Sequence, residues 1–262
     1  MSRFSTLSSS SRGNAIYAAG GSTSVLVDCG ISFRRLKAAL SDLEVDIADI
    51  HAVIITHEHT DHIKGLMTLL RRHPLPLYAS EGTLRYLCRH DMIPAEARII
   101  PLEESVLIGD IEVTSFGTPH DAAHSIGLRL SMPDGRRVGI ATDMGYVTDG
   151  VREHLTGCDL VMIESNYDPG MLLCGTYPYS VKQRIKGEHG HLSNADCADE
   201  VTRLAGSGTT RFILGHLSER NNLPQLAAQT TKAALTMREM REGVDFILSV
   251  APARRPLEMV VF

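Results

Sequence analysis

An α/β domain built on a mixed sheet is predicted by three observations. Short β-branched runs alternate with helix-length amphipathic segments, a Pro133-Asp134-Gly135 hairpin signal lies mid-chain, and β-α alternation marks both ends. Strands are expected at residues 24–28, 52–55, 106–115, 126–130, 138–141, 160–163 and 212–214, with residues 4–7 as a first strand. Helices are expected at residues 33–43, 65–72, 83–89, 194–204 and 224–240. Ser193-Asn194-Ala195-Asp196 marks one helix start before an Ala/Leu-rich stretch. Pro224 marks another, at a first helical position after Asn221-Asn222. No internal repeat, low-complexity linker or heptad pattern interrupts the chain, so residues 1–262 read as one domain.

Composition narrows the function. With 262 residues, 43% of them apolar, the chain is long enough to fold without a disulfide or metal staple. Its 12 histidines therefore call for a reason other than stability. A net charge of -5 argues against a generally basic nucleic-acid coat, while leaving room for a local basic patch. The five cysteines (Cys29, Cys88, Cys158, Cys174, Cys197) are odd in number and form no CxxC pair, which reads as reduced thiols in a cytoplasmic protein. Residues 1–14 lack the apolar stretch of a secretory signal, and no run of about 18 apolar residues suggests a membrane span.

The chemistry concentrates in Thr56-His57-Glu58-His59-Thr60-Asp61-His62, directly after the strand expected at 52–55. His57 and His59 point the same way if the chain is still extended. Asp61 and His62 follow one turn later and can face a second ion. Neutral imidazole and carboxylate are ligands that zinc and manganese accept. Three further residues of ligand type sit at or just beyond the ends of apolar runs: His120, Asp143 and His216, each with Gly or Pro nearby to shape the loop. Singly, each reads more readily as an ordinary loop residue or capping group; their shared placement points to one site.

With HxHxDH intact as His57, His59, Asp61 and His62, the chain resembles the metallo-β-lactamase fold superfamily along nearly its whole length. The resemblance implies a four-layer αββα sandwich of two mixed sheets with the site at one edge. It also implies that His57, His59 and His120 hold one divalent ion, that Asp61, His62 and His216 hold the other, and that Asp143 bridges them. Asp28 matches the family's early aspartate, which steadies the metal loop. The segments around Ser8–Asn14, Thr118–Ala123, Ala141–Tyr146, Glu164–Asp168, Gly190–Asn194 and Gly215–Ser218 resemble the YycJ/WalJ-like group. Tyr167, where His is expected, and His124, where an acid is commoner, depart from its pattern.

That group implies 5′-to-3′ exonuclease action on double-stranded DNA and a part in mismatch repair alongside repair proteins. Two divalent ions, zinc or manganese, would then hold a bridging hydroxide as the nucleophile, oriented by Asp61, with the bridging Asp143 also counted as catalytic. By the same resemblance, His191 is a phosphate contact or general acid, although it reads equally as a loop histidine at a helix entry. Arg12, Lys182, Arg184, Lys186 and Arg220 are candidate substrate contacts; the 177–186 stretch, with three basic residues, two tyrosines and no acid, reads otherwise as solvated surface. The scaffold also carries RNA-processing nucleases and thioester or lactone hydrolases. A metal-dependent, non-enzymatic repair scaffold is the remaining alternative. Asp143 stands where many β-lactam hydrolases carry Cys. The short interval from Asp143 to His216 leaves no room for the large inserted domain of RNase J-like enzymes.

Overall fold

A strand that is apolar at consecutive positions must be covered on both faces. The computed structural model, which describes residues 1–262, supplies that cover. Strand β4 (Ala52–Ile55) sends Ala52 and Ile54 into a core shared between two sheets, and Val53 and Ile55 into a second core beneath helices. Strand β11 (Leu160–Glu164) does the same from the other sheet, with Leu160 and Met162 turned inward and Val161 and Ile163 turned to helices.

The first sheet runs β14 (Val260–Val261), β1 (Arg3–Ser8), β2 (Ala15–Gly20), β3 (Thr23–Val27), β4, β5 (Leu77–Ala79), β6 (Ile99–Pro101). It is antiparallel from β14 to β3 and parallel from β3 to β6. The second runs β13 (Ile247–Val250), β12 (Arg211–Gly215), β11, β10 (Arg137–Ala141), β9 (Ile126–Ser131), β8 (Ile111–Gly117), β7 (Ser105–Ile108). Here β13 to β10 are parallel and β10 to β7 antiparallel.

Helices α1 (Phe33–Asp42), α3 (Leu66–Arg72) and α4 (Glu81–Arg89) lay Leu36, Leu40, Leu66, Leu69, Leu84 and Leu87 over the first sheet. Helices α5 (Asp149–Leu155), α8 (Asn194–Gly206) and α9 (Pro224–Thr236) cover the second through Val151, Leu155, Val201, Leu204, Ala227 and Leu235. The result is the four-layer αββα sandwich with two mixed sheets.

Several local expectations need correction. Residues 106–115 are not one strand but most of the β7–β8 hairpin, turned at Gly109-Asp110 with Gly109 at φ 56°. Apolar residues on both sides of this short turn had read as one continuous run. The helix expected at 224–240 stops at Thr236. Strands β5, β6 and β14 are only two or three residues long and carry no readable period, whereas β2 is uniformly buried and lacks polar alternation. The basic stretch at 177–186 contains a helix, α7 (Tyr179–Lys186), none of whose residues is buried. No helix is long and apolar enough to cross a membrane, and all five cysteines are free.

Candidate metal centre

Parallel strands in one sheet emit their loops at one edge, and the centre is assembled there. His120 follows β8, Asp143 follows β10, Glu164 ends β11 and His216 follows β12; across the sandwich, His57 and His59 follow β4. Asp61 and His62 sit on the single turn α2 (Thr60–Ile63). The β3–β4 register puts Asp28 next to this loop: its N–H donates to the Ile54 carbonyl at 2.8 Å. Asp28, Asp143 and His216 all hold left-handed backbone, at φ 61°, 58° and 54°. Asp and His tolerate that region better than most residues, and its use at three positions here marks a strained site. Gly30 is required for a related reason, because a Cβ there would lie 1.6 Å from the Asp61 carbonyl oxygen.

Four of the five proposed metal-binding imidazoles are aimed by a partner on the far side. His62 Nδ1 meets Asp28 Oδ2 at 2.8 Å, and Asp28 Oδ1 also accepts from the Thr56 N–H at 2.9 Å. His216 Nδ1 meets Glu164 Oε1 at 2.9 Å, and His120 Nδ1 meets the Gly190 carbonyl at 3.1 Å. His57 Nδ1 lies 3.1 Å from Thr56 Oγ1. The opposite nitrogens converge: His62 Nε2 and His216 Nε2 stand 3.5 and 3.3 Å from Asp61 Oδ2, and His120 Nε2 stands 3.2 Å from His59 Nδ1. Such carboxylate and carbonyl partners fix the tautomer and direction of a ligating histidine. Ligand atoms of His57, His59 and His120 lie within 4.8 Å of one another, as do those of Asp61, His62 and His216, and of His57, His62 and Asp143.

The donor set fits divalent cations. His57 Nε2 and Asp143 Oδ2 are buried at the centre without a hydrogen-bond partner. A folded protein rarely leaves such atoms unpaired. Asp28, Asp61, Asp143 and Glu164 bring four carboxylates together, and histidines are the only basic side chains that form ion pairs with them. Their charge must be met by protonated imidazoles or bound cations. Burial alone would lower the pKa of His62, but Asp28, Asp143 and Asp61 hold it well above the usual histidine value. Against the same burial, Asp143, Asp61 and Glu164 push His216 up to about 10. His57 goes the other way: burial and the neighbouring imidazoles keep it low, hence neutral and ready to ligate.

Substituting Asp28 tests this aiming. Asp28→Asn keeps a side chain that tolerates left-handed backbone but sets an amide against the His62 Nδ1–H. Metal affinity is expected to fall about 10–100-fold in a chelator competition. Unchanged affinity in a folded variant would remove Asp28 from the design.

Five participants escaped sequence reasoning as separate residues. Glu164 is fully buried; its Oε1 meets His191 Nδ1 at 2.8 Å as well as His216, and its Oε2 accepts from the Met144 and Leu192 N–H groups. It sits at a strand end like Asp143 and His216, so the same rule could have singled it out. Asn14 Nδ2 lies 3.1 Å from His62 Nε2, and Ser9 Oγ accepts from the His216 N–H, so the 8–14 loop edges the site. Glu58 accepts from the Ala123 N–H and ties the motif to the His120 loop. Asp121 lies 3.5 Å from His120 Nε2 and 4.0 Å from His59 Nε2.

The candidate substrate contacts are placed less uniformly. Arg184 is bonded to Asp121 at the site mouth, and Lys182 Nζ donates to the Leu173 carbonyl. Arg12 pairs with Glu219 at 3.6 Å, and Arg220 lies over the Tyr177 ring. Lys186 is exposed and forms no ion pair.

A model of the beta-lactamase superfamily domain matches residues 23–217. The chain belongs to that superfamily and is a metal-dependent hydrolase of the metallo-β-lactamase fold. It is 36% identical over 250 residues to exodeoxyribonuclease WalJ of Streptococcus pneumoniae serotype 2, covering 93% of this chain and 92% of that one. It is 35% identical over 260 residues to exodeoxyribonuclease YycJ of Bacillus anthracis, covering 98% and 97%. Solved structures share the fold: YhfI from Bacillus subtilis superposes with a TM-score of 0.74 at 16% identity, covering 98% of each chain. Zinc-bound PqqB from Methylobacterium extorquens gives 0.72 at 19% identity, covering 98% of this chain and 99% of that one.

Proposed function

We propose that this protein is a cytoplasmic 5′-to-3′ exonuclease of double-stranded DNA that works in mismatch repair. The observation that carries the reading is a converging His/Asp cluster in a chain 35–36% identical, over nearly its full length, to two exodeoxyribonucleases. His57, His59 and His120 would hold one ion, Asp61, His62 and His216 a second, and Asp143 would touch both; zinc and manganese suit these donors. Such ions supply a deprotonated water near neutral pH and neutralise the phosphate.

The chain's own residues divide the remaining work. Asp61, held by the Asn14 amide at 3.3 Å, orients the attacking water. His191 is only 20% exposed, and Glu164 holds its Nδ1, which leaves Nε2 to give a proton to the leaving oxygen of the scissile phosphodiester. Arg184, once released from Asp121, and Lys186 would steady the neighbouring backbone phosphates.

The test is end-labelled duplex DNA, single-stranded DNA and RNA incubated with metal-loaded protein, with a His62→Ala control. Stepwise release of nucleotides from the 5′ end of duplex DNA is expected. Preferential RNA cleavage, or hydrolysis of small esters or thioesters alone, would replace this reading with another chemistry on the same scaffold. A second result separates the roles of histidines: His191→Ala is expected to keep its metal content and lose about 100-fold or more in turnover. Undiminished turnover would return His191 to an ordinary loop residue.

A further inference from the structure

Beside the metal centre, on the outer side of the first sheet, α1 and α3 enclose an open groove of about 680 Å³. Arg34, Lys37, Lys64 and Arg72 line it, together with hydroxyls and Phe33, and no acidic side chain does. None of these four cations enters an ion pair. Nine of the 26 Lys and Arg side chains are held by a carboxylate, so an unpaired cation is common here; what sets these four apart is that they share one groove without an acidic lining residue. Arg72 is also set in place, with its guanidinium 5.3 Å from the Phe33 ring centroid. In a chain of net charge -5, four unpaired cations around one depression form a concentrated positive field.

The groove is joined to the centre in two ways. Cys29 accepts from the Gly65 N–H and donates to the His62 carbonyl, so one short segment braces both the metal helix α2 and the start of α3. Lys64 follows His62 by two residues. On the other flank, Arg35, next to Arg34 on α1, acts electrostatically on Glu219, which also pairs with Arg12 and Arg254. Arg12 belongs to the loop whose Asn14 touches Asp61 and His62. Three arginines gathered around one carboxylate thus connect the flank of the groove with the loop at the edge of the cluster.

We infer that the α1–α3 groove is a phosphate-binding exosite that grips the sugar-phosphate backbone of duplex DNA beside the end being digested. This rests on the nuclease reading above. Spaced cations on a helical face match repeating phosphates, and each contact releases condensed counterions, so binding weakens with salt in proportion to the number of contacts. Holding the duplex away from the scissile bond would raise affinity and keep the end in register without reading sequence.

The test uses the metal-loaded full chain carrying Arg34→Gln, Lys37→Gln and Arg72→Gln, which leaves Lys64 next to the metal helix intact. Fluorescence anisotropy with a phosphorothioate-ended duplex, titrated at several salt concentrations, reads binding without cleavage. The slope of log K against log salt is expected to flatten by about 2–3, and affinity at moderate salt to fall about tenfold or more. Turnover of bis(4-nitrophenyl) phosphate should stay unchanged. An unchanged slope and affinity overturn the exosite, as does a loss of binding to anionic lipid vesicles with duplex binding intact. Because Arg72 contacts Phe33, the double variant Arg34→Gln/Lys37→Gln serves as a second probe, with a slope change of about 2. Wild-type protein that binds duplex through the groove but releases no nucleotide would refute the exonuclease reading and leave the exosite standing.

Discussion

Asp143→Ala protein is expected to lose bound metal and nearly all hydrolysis. The Asp143 carboxylate is buried at the middle of the cluster. One oxygen lies 3.4 Å from His62 Nε2, and the other lies 3.7 Å from His120 Nε2 and 3.5 Å from His216 Nδ1. Among the carboxylates of the cluster, only Asp143 reaches nitrogens of both proposed ligand triads. Removing it deletes negative charge where cations would sit, and a metal that polarises phosphate contributes several kcal/mol to the barrier, so turnover should fall about a thousandfold or more. Elemental analysis of metal content beside a phosphodiesterase assay measures both effects. Normal turnover with metal supplied would sink the two-ion assignment. Asp143→Asn, which tolerates the same left-handed backbone, separates loss of charge from backbone strain and is expected to remain folded yet inactive.

The second large effect falls on Glu164, which no solvent reaches. Its carboxylate takes four donors in two pairs: the Nδ1 atoms of His191 and His216 on one oxygen, and the Met144 and Leu192 N–H groups on the other. Burial would raise its pKa, but His191 and His216 outweigh burial and hold it below the usual glutamate range. Glu164→Ala strands buried donors and is expected to cost about 3–5 kcal/mol, a fall in melting temperature of about 10 °C. Glu164→Gln should rescue little, because either orientation of its amide turns an NH₂ group toward one pair of donors. Glu164→Asp should retain more stability than Gln, since it keeps two acceptor oxygens. Thermal melts of the three variants decide the matter; a Gln variant as stable as the parent would show that the donors are not committed to Glu164.

The readable part of the site was local. His57, His59, Asp61 and His62 lie within six residues, a spacing that places them together whatever the rest of the chain does. His120, Asp143 and His216 were legible because each stands beyond an apolar run, and strand ends are where a sheet presents its loops. The αββα layers came from the resemblance rather than from periodicity. Strands β4 and β11, buried on both faces, show no alternation to count, and β5, β6 and β14 are too short to show any.

What the sequence by itself determined was therefore the ligand chemistry: imidazoles and carboxylates at spacings that suit divalent cations, in a chain of the metallo-β-lactamase type. Tertiary structure alone decided how those ligands are held. Asp28 reaches His62 across 34 positions, Asn14 across 48, and Glu164 reaches His216 across 52. Only tertiary structure showed that Arg184 and Arg12 are already paired, whereas Arg34, Lys37, Lys64 and Arg72 share a groove without an acid. The physical reason is the range of the interactions. Ligand type and near-neighbour spacing are written along the chain, but a hydrogen bond or a field depends on distances through space, which exist only after the two sheets have packed.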